Sequence, residues 1–268
     1  MARFPDFLCV GQQKAGTTWL WRNLRDHPDV YCPFVKEVDY FNDLYIPEHR
    51  SWISRTRRLR EFLAGRERVA DEDADAFEDL ARFARFAPND AWYASMFEPA
   101  GERVTGDLTP GYALLPEVGL WHARRLNPQA RVLVLVRDPV ERSWSAVRHY
   151  LRADDASLDT VDLIDFIEQR PDILAYSDAA TIVARWRSIF PAEQVSVFRH
   201  SEISNAPEQV LASVCDLIGV DAGFAFPRAR TPIFEGEEAD MTDDVRAFLS
   251  DKLAGAYEGL AQLFPTAA

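Results

Sequence analysis

FLCVGQQKAGTTWLWRNL, residues 7–24, reads as a buried strand, a loop bracketed by two glycines and the first turns of a helix. Gly11 and Gly16 keep the spacing of a P-loop that binds nucleoside triphosphates, G-x-x-x-x-G-K-[ST], but Thr17 occupies the lysine position and Thr18 follows it. The loop's one lysine is Lys14, inside the bracket. Glycines at these places let the backbone turn tightly, so that main-chain N–H groups and the positive end of the helix converge on one point. That point favours an oxyanion. Lys14 adds a mobile cationic donor, and the hydroxyls of Thr17 and Thr18 add neutral ones.

A second stretch, VLVLVRDPVERSWSAVRHYL (residues 132–151), has the same grammar. The apolar run ends at Val136, Arg137 and Asp138 emerge at its carboxyl edge, Pro139 suits a first helical turn, and Ser145 lies within that helix. Ligands of open α/β sheets sit at the carboxyl ends of the strands, so Arg137 and Ser145 are candidates for a second phosphate. Read alone, Arg137 and Asp138 would serve equally as a surface ion pair.

Strand-like runs at Phe7 to Val10, Arg103 to Gly106, Arg131 to Val136 and Val195 to Phe198 alternate with helical patterns. This predicts an α/β, three-layer, P-loop-like fold: a central, mostly parallel sheet flanked by helices. Between about residues 47 and 88 the chain turns charged and helical, as a helical insertion would, forming either a wall or lid or only a cover for the sheet edge. Thr242 begins a terminal segment with Val245, Leu249, Leu253, Tyr257, Leu260 and Phe264 at helical spacing.

The 268 residues, 47% of them hydrophobic, suit a single domain over residues 1–268 with that insertion. A formal charge of -13 leaves no basic footprint for nucleic acid and disfavours a highly sulfated polymer. Cys9, Cys32 and Cys215 show neither metal nor disulfide spacing. The first apolar strand begins within a few residues of Met1 with no leader pattern, and no run is long enough to span a bilayer, so a soluble, cytoplasmic protein is expected. Oligomeric state leaves no trace in the sequence.

Together the two stretches resemble the sulfotransferases that use 3′-phosphoadenosine 5′-phosphosulfate (PAPS). In that family a loop G-x-x-K-[AST]-G-T-[ST] holds the 5′-phosphosulfate, and a strand followed by R-[DN]-P-x-x-R-x-x-S binds the 3′-phosphate. The chain carries GQQKAGTT at Gly11 to Thr18 and RDPVERSWS at Arg137 to Ser145. HPDV at His27 to Val30, KEVDYF at Lys36 to Phe41 and GDLTPGY at Gly106 to Tyr112 look like segments of the heparan sulfate and bacterial carbohydrate-type branch. Asp39 stands where many relatives have histidine, Leu108 replaces a lysine, and VSVFRHSEI lacks the usual YEDL-like ending.

The resemblance implies PAPS as sulfuryl donor, 3′,5′-adenosine bisphosphate (PAP) as product, and no metal. It implies a donor site of Lys14, Ala15, Gly16, Thr17, Thr18, Arg137 and Ser145, with Lys14 also stabilising the leaving group. Glu37 matches the family's glutamate base, and Asp39, Asp107 and Tyr112 are candidates for binding a small-molecule, glycan or lipid acceptor through a hydroxyl or, less readily, an amine. One competing reading is a P-loop kinase using ATP and magnesium, which lacks its lysine at Thr17 and has only Asp138 or Asp107 for its metal aspartate. Another is a nucleotide-binding protein without turnover, kept open by Asp39 and Leu108. His27 is explained as a helix stop, and His122, His149 and His200 as structural residues. Trp19 and Trp21 could border an adenine ring, although aromatic residues on a first helix are usually core.

Overall fold

A computed structural model of the chain describes residues 2–51, 72–231 and 239–264. Five strands, β1 (Phe7–Gly11), β2 (Val30–Tyr31), β3 (Val104–Leu108), β4 (Arg131–Val136) and β5 (Val195–Arg199), form one sheet in the order β2-β3-β1-β4-β5. Every pairing is parallel. The helices up to β4 are α1 (Thr17–Leu24), α2 (Tyr40–Tyr45), α3 (Glu72–Ala84), α4 (Asp90–Ser95) and α5 (Glu117–Leu126). After β4 come α6 (Pro139–Ala153), α7 (Leu163–Glu168), α8 (Asp172–Ala175) and α9 (Ala179–Ile189). After β5 come α10 (His200–Asn205), α11 (Pro207–Ile218), α12 (Asp243–Lys252) and α13 (Ala254–Leu263).

Strand periodicity divides the core into two layers. Phe7 and Cys9 of β1 join Leu133 and Leu135 of β4 on one face, covered by Trp19, Leu20 and Leu24 of α1 and by Val210, Leu211 and Val214 of α11. Leu8 and Val10 join Val132, Val134 and Val136 on the other, covered by Phe41, Leu80, Phe83, Tyr93, Leu120 and Trp186 from α2, α3, α4, α5 and α9. β4 reads as an unbroken apolar run because both of its faces are covered. A third cluster joins Trp144, Val147 and Leu151 of α6 to Ile173 and to Val245, Leu249 and Ala256 near the C-terminus.

The anticipated strands are present, with β5 continuing to Arg199. β2 has two residues, too few to leave a period, and exists through its pairing with Val104 and Thr105. The terminal segment does start at Thr242, whose Oγ1 accepts from Val245 N–H at 3.5 Å, but it bends at Leu253 (φ -104°, ψ 11°) into two helices. Much of the anticipated insertion, 52–71, lies outside the described residues. Its remaining helix, α3, packs beside edge strand β2, with the buried Asp79 accepting from Tyr31 Oη at 2.9 Å and Phe34 N–H at 2.7 Å. Among the described residues no helix is long and apolar enough to cross a membrane.

Candidate active site

The loops after β1 and β4, the two central strands, meet at the carboxyl edge of the sheet. Gly16 sits just before α1 with φ +95°, and a Cβ there would lie 2.9 Å from Ile203 Cδ1 and 3.5 Å from His200 Cδ2. The backbone conformation favours glycine, and a Cβ would also have to displace the tip of Ile203. No side chain caps α1 and its first turn holds no acidic residue, so its N-terminal N–H groups keep their positive end free of an internal anion.

Arg137 ties the second loop to the first. Its N–H donates to Gln12 Oε1 at 3.1 Å, and its Nη1 donates to the main-chain carbonyl of Lys14 at 3.2 Å. Arg142, on the buried face of α6, donates to the carbonyl of Gln13 at 3.3 Å, to Ser177 Oγ at 2.6 Å and to the carbonyl of Ile173. Two arginines thus hold consecutive carbonyls of the Lys14 loop.

Among the described residues neither Lys14 nor Arg137 forms an ion pair with a carboxylate. Burial pulls the Lys14 ammonium down to about 8, reinforced by the charges of Arg152, Lys36 and Arg137 and opposed by Glu37. Partial burial also lowers Arg137. Two half-buried cations without an internal anion, in a chain of net charge -13, form a site with unspent affinity for an anionic ligand.

Glu37 lies beside this site, where its charge acts on Lys14. Its carboxylate pairs with Lys36, and 33% of its side-chain surface is exposed. Lys14 (φ 66°), Glu37 (φ 66°) and Asp39 (φ 57°) account for three of the four non-glycine residues with positive φ among the described residues. Such a conformation costs about 1–2 kcal/mol per residue and persists only where its surroundings over-determine it.

The surroundings are visible. Two consecutive main-chain N–H groups just beyond Val38 are received by side chains from the GDLTPGY segment: Asp39 N–H donates to Thr109 Oγ1 at 3.4 Å and Tyr40 N–H to Tyr112 Oη at 3.0 Å. Thr109 and Tyr112 in turn donate to Asp107 at 2.6 and 2.9 Å, and Tyr93 donates to it at 2.8 Å. Asp107, Thr109 and Tyr112 are 0% exposed. Burial raises the Asp107 carboxyl, and these donors oppose the shift. Asp107 and Tyr112, expected at the acceptor, therefore lie behind the Glu37 loop with their polar atoms engaged internally. Asp39 is nearly buried and accepts from Asn42 Nδ2 at 3.0 Å.

Ala15 is buried in the layer below the loop, leaving only its main chain for a ligand, while Thr17 is buried and Thr18 half-buried on the first turn of α1. Ser145 is half-buried on α6. Leu108 packs in the apolar cluster with Cys9, Ala15 and Trp19, on the face opposite Asp107. Trp19 Nε1 donates to the Ala229 carbonyl at 2.7 Å and Trp21 Nε1 to the Pro33 carbonyl at 3.0 Å, which fixes both within the body. His27 Nε2 bonds the Asp221 carbonyl at 3.0 Å, and Nδ1 accepts from Asp29 N–H at 3.1 Å, a fully used structural ring.

His200 and His149 lie near the loop. His200 stands over Gly16 beside Arg137, and burial with that positive charge pulls it down to about 4, so it is neutral near pH 7. His149 is lowered by burial and then by Lys14 and Arg152. Position gave the missing signal for His200: it directly follows a predicted strand, where ligand-facing residues collect. Glu202 closes the first turn of α10 by accepting from Arg199 N–H at 3.2 Å.

A parallel α/β sheet with a glycine-bracketed anion loop at its switch strand, and no lysine in the nucleotide-triphosphatase position, defines a P-loop-like group-transfer fold. The model of the Sulfotransferase family matches residues 5–223, and the chain belongs to that family. The chain is 24% identical to a solved sulfotransferase from Alicyclobacillus acidocaldarius, with a TM-score of 0.71, covering 100% of this chain and 98% of that one. Among curated relatives, carbohydrate sulfotransferase 15 of Rattus norvegicus is 27% identical over 89% of this chain and 46% of its own length. The bifunctional heparan sulfate N-deacetylase/N-sulfotransferase 1 of Mus musculus is 23% identical over 81% of this chain. The chain spans 22% of the length of that mouse protein.

Proposed function

We propose that the chain transfers a sulfuryl group from PAPS to a hydroxyl of a small-molecule, glycan or lipid acceptor, releasing PAP. The observation that carries this reading is the pair of cations, Lys14 and Arg137, joined through the loop backbone and forming no ion pair with a carboxylate among the described residues. They suit a ligand with two separated anionic groups. Lys14, the main-chain N–H groups around Gly16, Thr17 and Thr18 take the 5′-phosphosulfate; Arg137 and Ser145 take the 3′-phosphate. An amine acceptor is a weaker fit, and a polysulfated polymer is disfavoured by the net charge of -13.

In the transfer, the acceptor oxygen forms a bond to sulfur as the bond from sulfur to the 5′-phosphate oxygen breaks, and the electron pair leaves with the phosphate. Lys14 offsets the negative charge that gathers on that oxygen. Glu37 receives the acceptor's proton, which suits its exposed carboxylate beside the lysine. The rest is orientation, supplied by a loop already fixed by Arg137 and Arg142. Asp39 borders Glu37 and remains the candidate for acceptor contact.

Thermal denaturation with PAP, compared with ATP plus magnesium, tests the donor. A ligand at about 100 times its dissociation constant stabilises a native site by about 2.7 kcal/mol. Stabilisation by PAP alone is expected. Stabilisation by ATP and magnesium alone would instead make the chain a P-loop kinase. Donor binding without any release of PAP across hydroxyl and amine acceptors would favour a nucleotide-binding role.

A further inference from the structure

We infer that Asp107, Thr109 and Tyr112 form a positioning clamp that sets the direction of the Glu37 carboxylate; the inference rests on Glu37 being the base. The clamp begins from a register match. Thr109 and Tyr112, in the turn after β3, receive two successive N–H groups, those of Asp39 and Tyr40, and both hydroxyls are in turn held by Asp107 at the end of β3. The partners lie about seventy residues apart in sequence, at separations of 70 and 72 for the two bonds to side-chain hydroxyls.

The direction of each bond is forced. Tyr112 Oη accepts from Tyr40 N–H, so its own proton goes to Asp107 Oδ2; Thr109 Oγ1 accepts from Asp39 N–H, so its proton goes to Asp107 Oδ1. Tyr93 supplies a third hydroxyl proton. Asp107 is therefore the common acceptor of three hydroxyl donors, a role that asparagine, with an amide NH2 on one side, could not fill. Such a polar network in a closed interior specifies one backbone arrangement.

The arrangement it specifies is costly for the chain by itself. Glu37 and Asp39 both hold positive φ, on either side of the buried Val38. Val38 is 1% exposed and packs in the apolar layer with Tyr40 and Phe41, so the turn is pinned from two sides. The Glu37 side chain, paired with Lys36 and partly exposed, is what this fixed turn presents, close enough for its charge to act on Lys14. Fixing the base in this way is worth having because a proton acceptor must sit within hydrogen-bond reach of the acceptor hydroxyl when sulfur is attacked.

The test uses the full chain with Tyr112→Phe and Thr109→Val, each of which removes one hydroxyl together with the bond it accepts from the Tyr40 or Asp39 N–H and the bond it donates to Asp107. Asp107→Asn is added as the severe case, and the two milder variants keep the test decisive if it fails to fold. The carboxyl carbon of Glu37 is followed by NMR in glutamate-labelled protein, assigned with Glu37→Gln. The expected result is a Glu37 titration midpoint moved by about half a pH unit or more. Amide exchange at residues 38–40 should rise about tenfold while PAP affinity stays within about twofold. An unmoved midpoint and unchanged exchange in folded Tyr112→Phe and Thr109→Val would overturn the clamp. The base assignment is read separately, from release of PAP by Glu37→Gln with PAPS and a panel of hydroxyl acceptors. Wild-type release there would remove Glu37 from the chemistry, and with it the purpose assigned to the clamp, even if the midpoint had moved.

Discussion

The guanidinium of Arg137 donates to the carbonyl of Lys14 at 3.2 Å, so the cation placed by the β4 loop holds the backbone that carries the cation placed by the β1 loop. Loss of Arg137 should therefore weaken donor binding twice, through the missing charge and through a loosened loop. Hydrogen bonds to charged groups contribute about 1.5–3 kcal/mol, so Arg137→Ala should lower PAP affinity about tenfold or more. Arg137→Lys keeps the charge without the planar fork and should recover only part of that loss. Titration calorimetry with PAP reads both; an Arg137→Ala protein with wild-type affinity would remove the residue from the donor site.

With Lys14 in the proposed donor site, binding should depend on pH. The Lys14 ammonium is held at about 8 in the folded chain, chiefly by burial, so the cation is present below that pH and is lost as the pH rises through it. A bound phosphosulfate or phosphate favours the charged form and raises the value again. Binding of PAP near pH 8 should therefore take up a proton, and affinity should fall above pH 8, with Lys14→Arg abolishing that fall. Calorimetry in buffers of different ionisation enthalpy counts the proton directly. Zero uptake at pH 8 would place Lys14 away from the ligand.

What the sequence made legible was local. The donor loop is a contiguous motif and β4 a contiguous apolar run, so neighbours along the chain suffice to read them. β2 escapes because two residues carry no period and its strand character comes from pairing with Val104 and Thr105. The roles of Asp107 and Tyr112 were similarly out of reach: polar residues near a site motif read as ligand contacts. Whether they face outward or inward depends on the packing of residues 106–112 beneath residues 38–40, a contact made across about seventy positions. His200 meets Gly16 only because β5 lies beside β4, which lies beside β1.

Gly111 tests the acceptor side. A Cβ there would lie 2.1 Å from Asn42 Nδ2, the atom that also donates to Asp39 at 3.0 Å. Gly111→Ala should push Asn42 aside and release Asp39, with a stability loss of about 1–3 kcal/mol from overpacking. PAP affinity should stay close to that of the native chain, since the donor loop is not touched. Urea denaturation and calorimetry separate the two effects, and a variant of native stability would mean that Asn42 has another place to go.

Arg142 presents the opposite problem, a cation that is wholly buried and faces neutral oxygens. Burial pulls its guanidinium down to about 10, which leaves it charged at neutral pH. Arg142→Met removes the desolvated charge, which favours the variant, but takes a donor from the Gln13 and Ile173 carbonyls and from Ser177 Oγ, at about 1–3 kcal/mol for a group left unpaired. Ser177 Oγ and the Ile173 carbonyl keep bonds to Ser143 Oγ and to each other, so the Gln13 carbonyl bears most of the cost and a net loss of about 1–2 kcal/mol is the expected outcome. Because Gln13 is one of those groups, the loss should also appear in the donor loop, as weaker PAP binding and faster amide exchange over residues 12–16. A destabilised Arg142→Met chain that binds PAP as the native chain does would show that Arg142 braces α6 against the Ile173 turn without setting the loop. Native stability together with weakened binding would show the reverse.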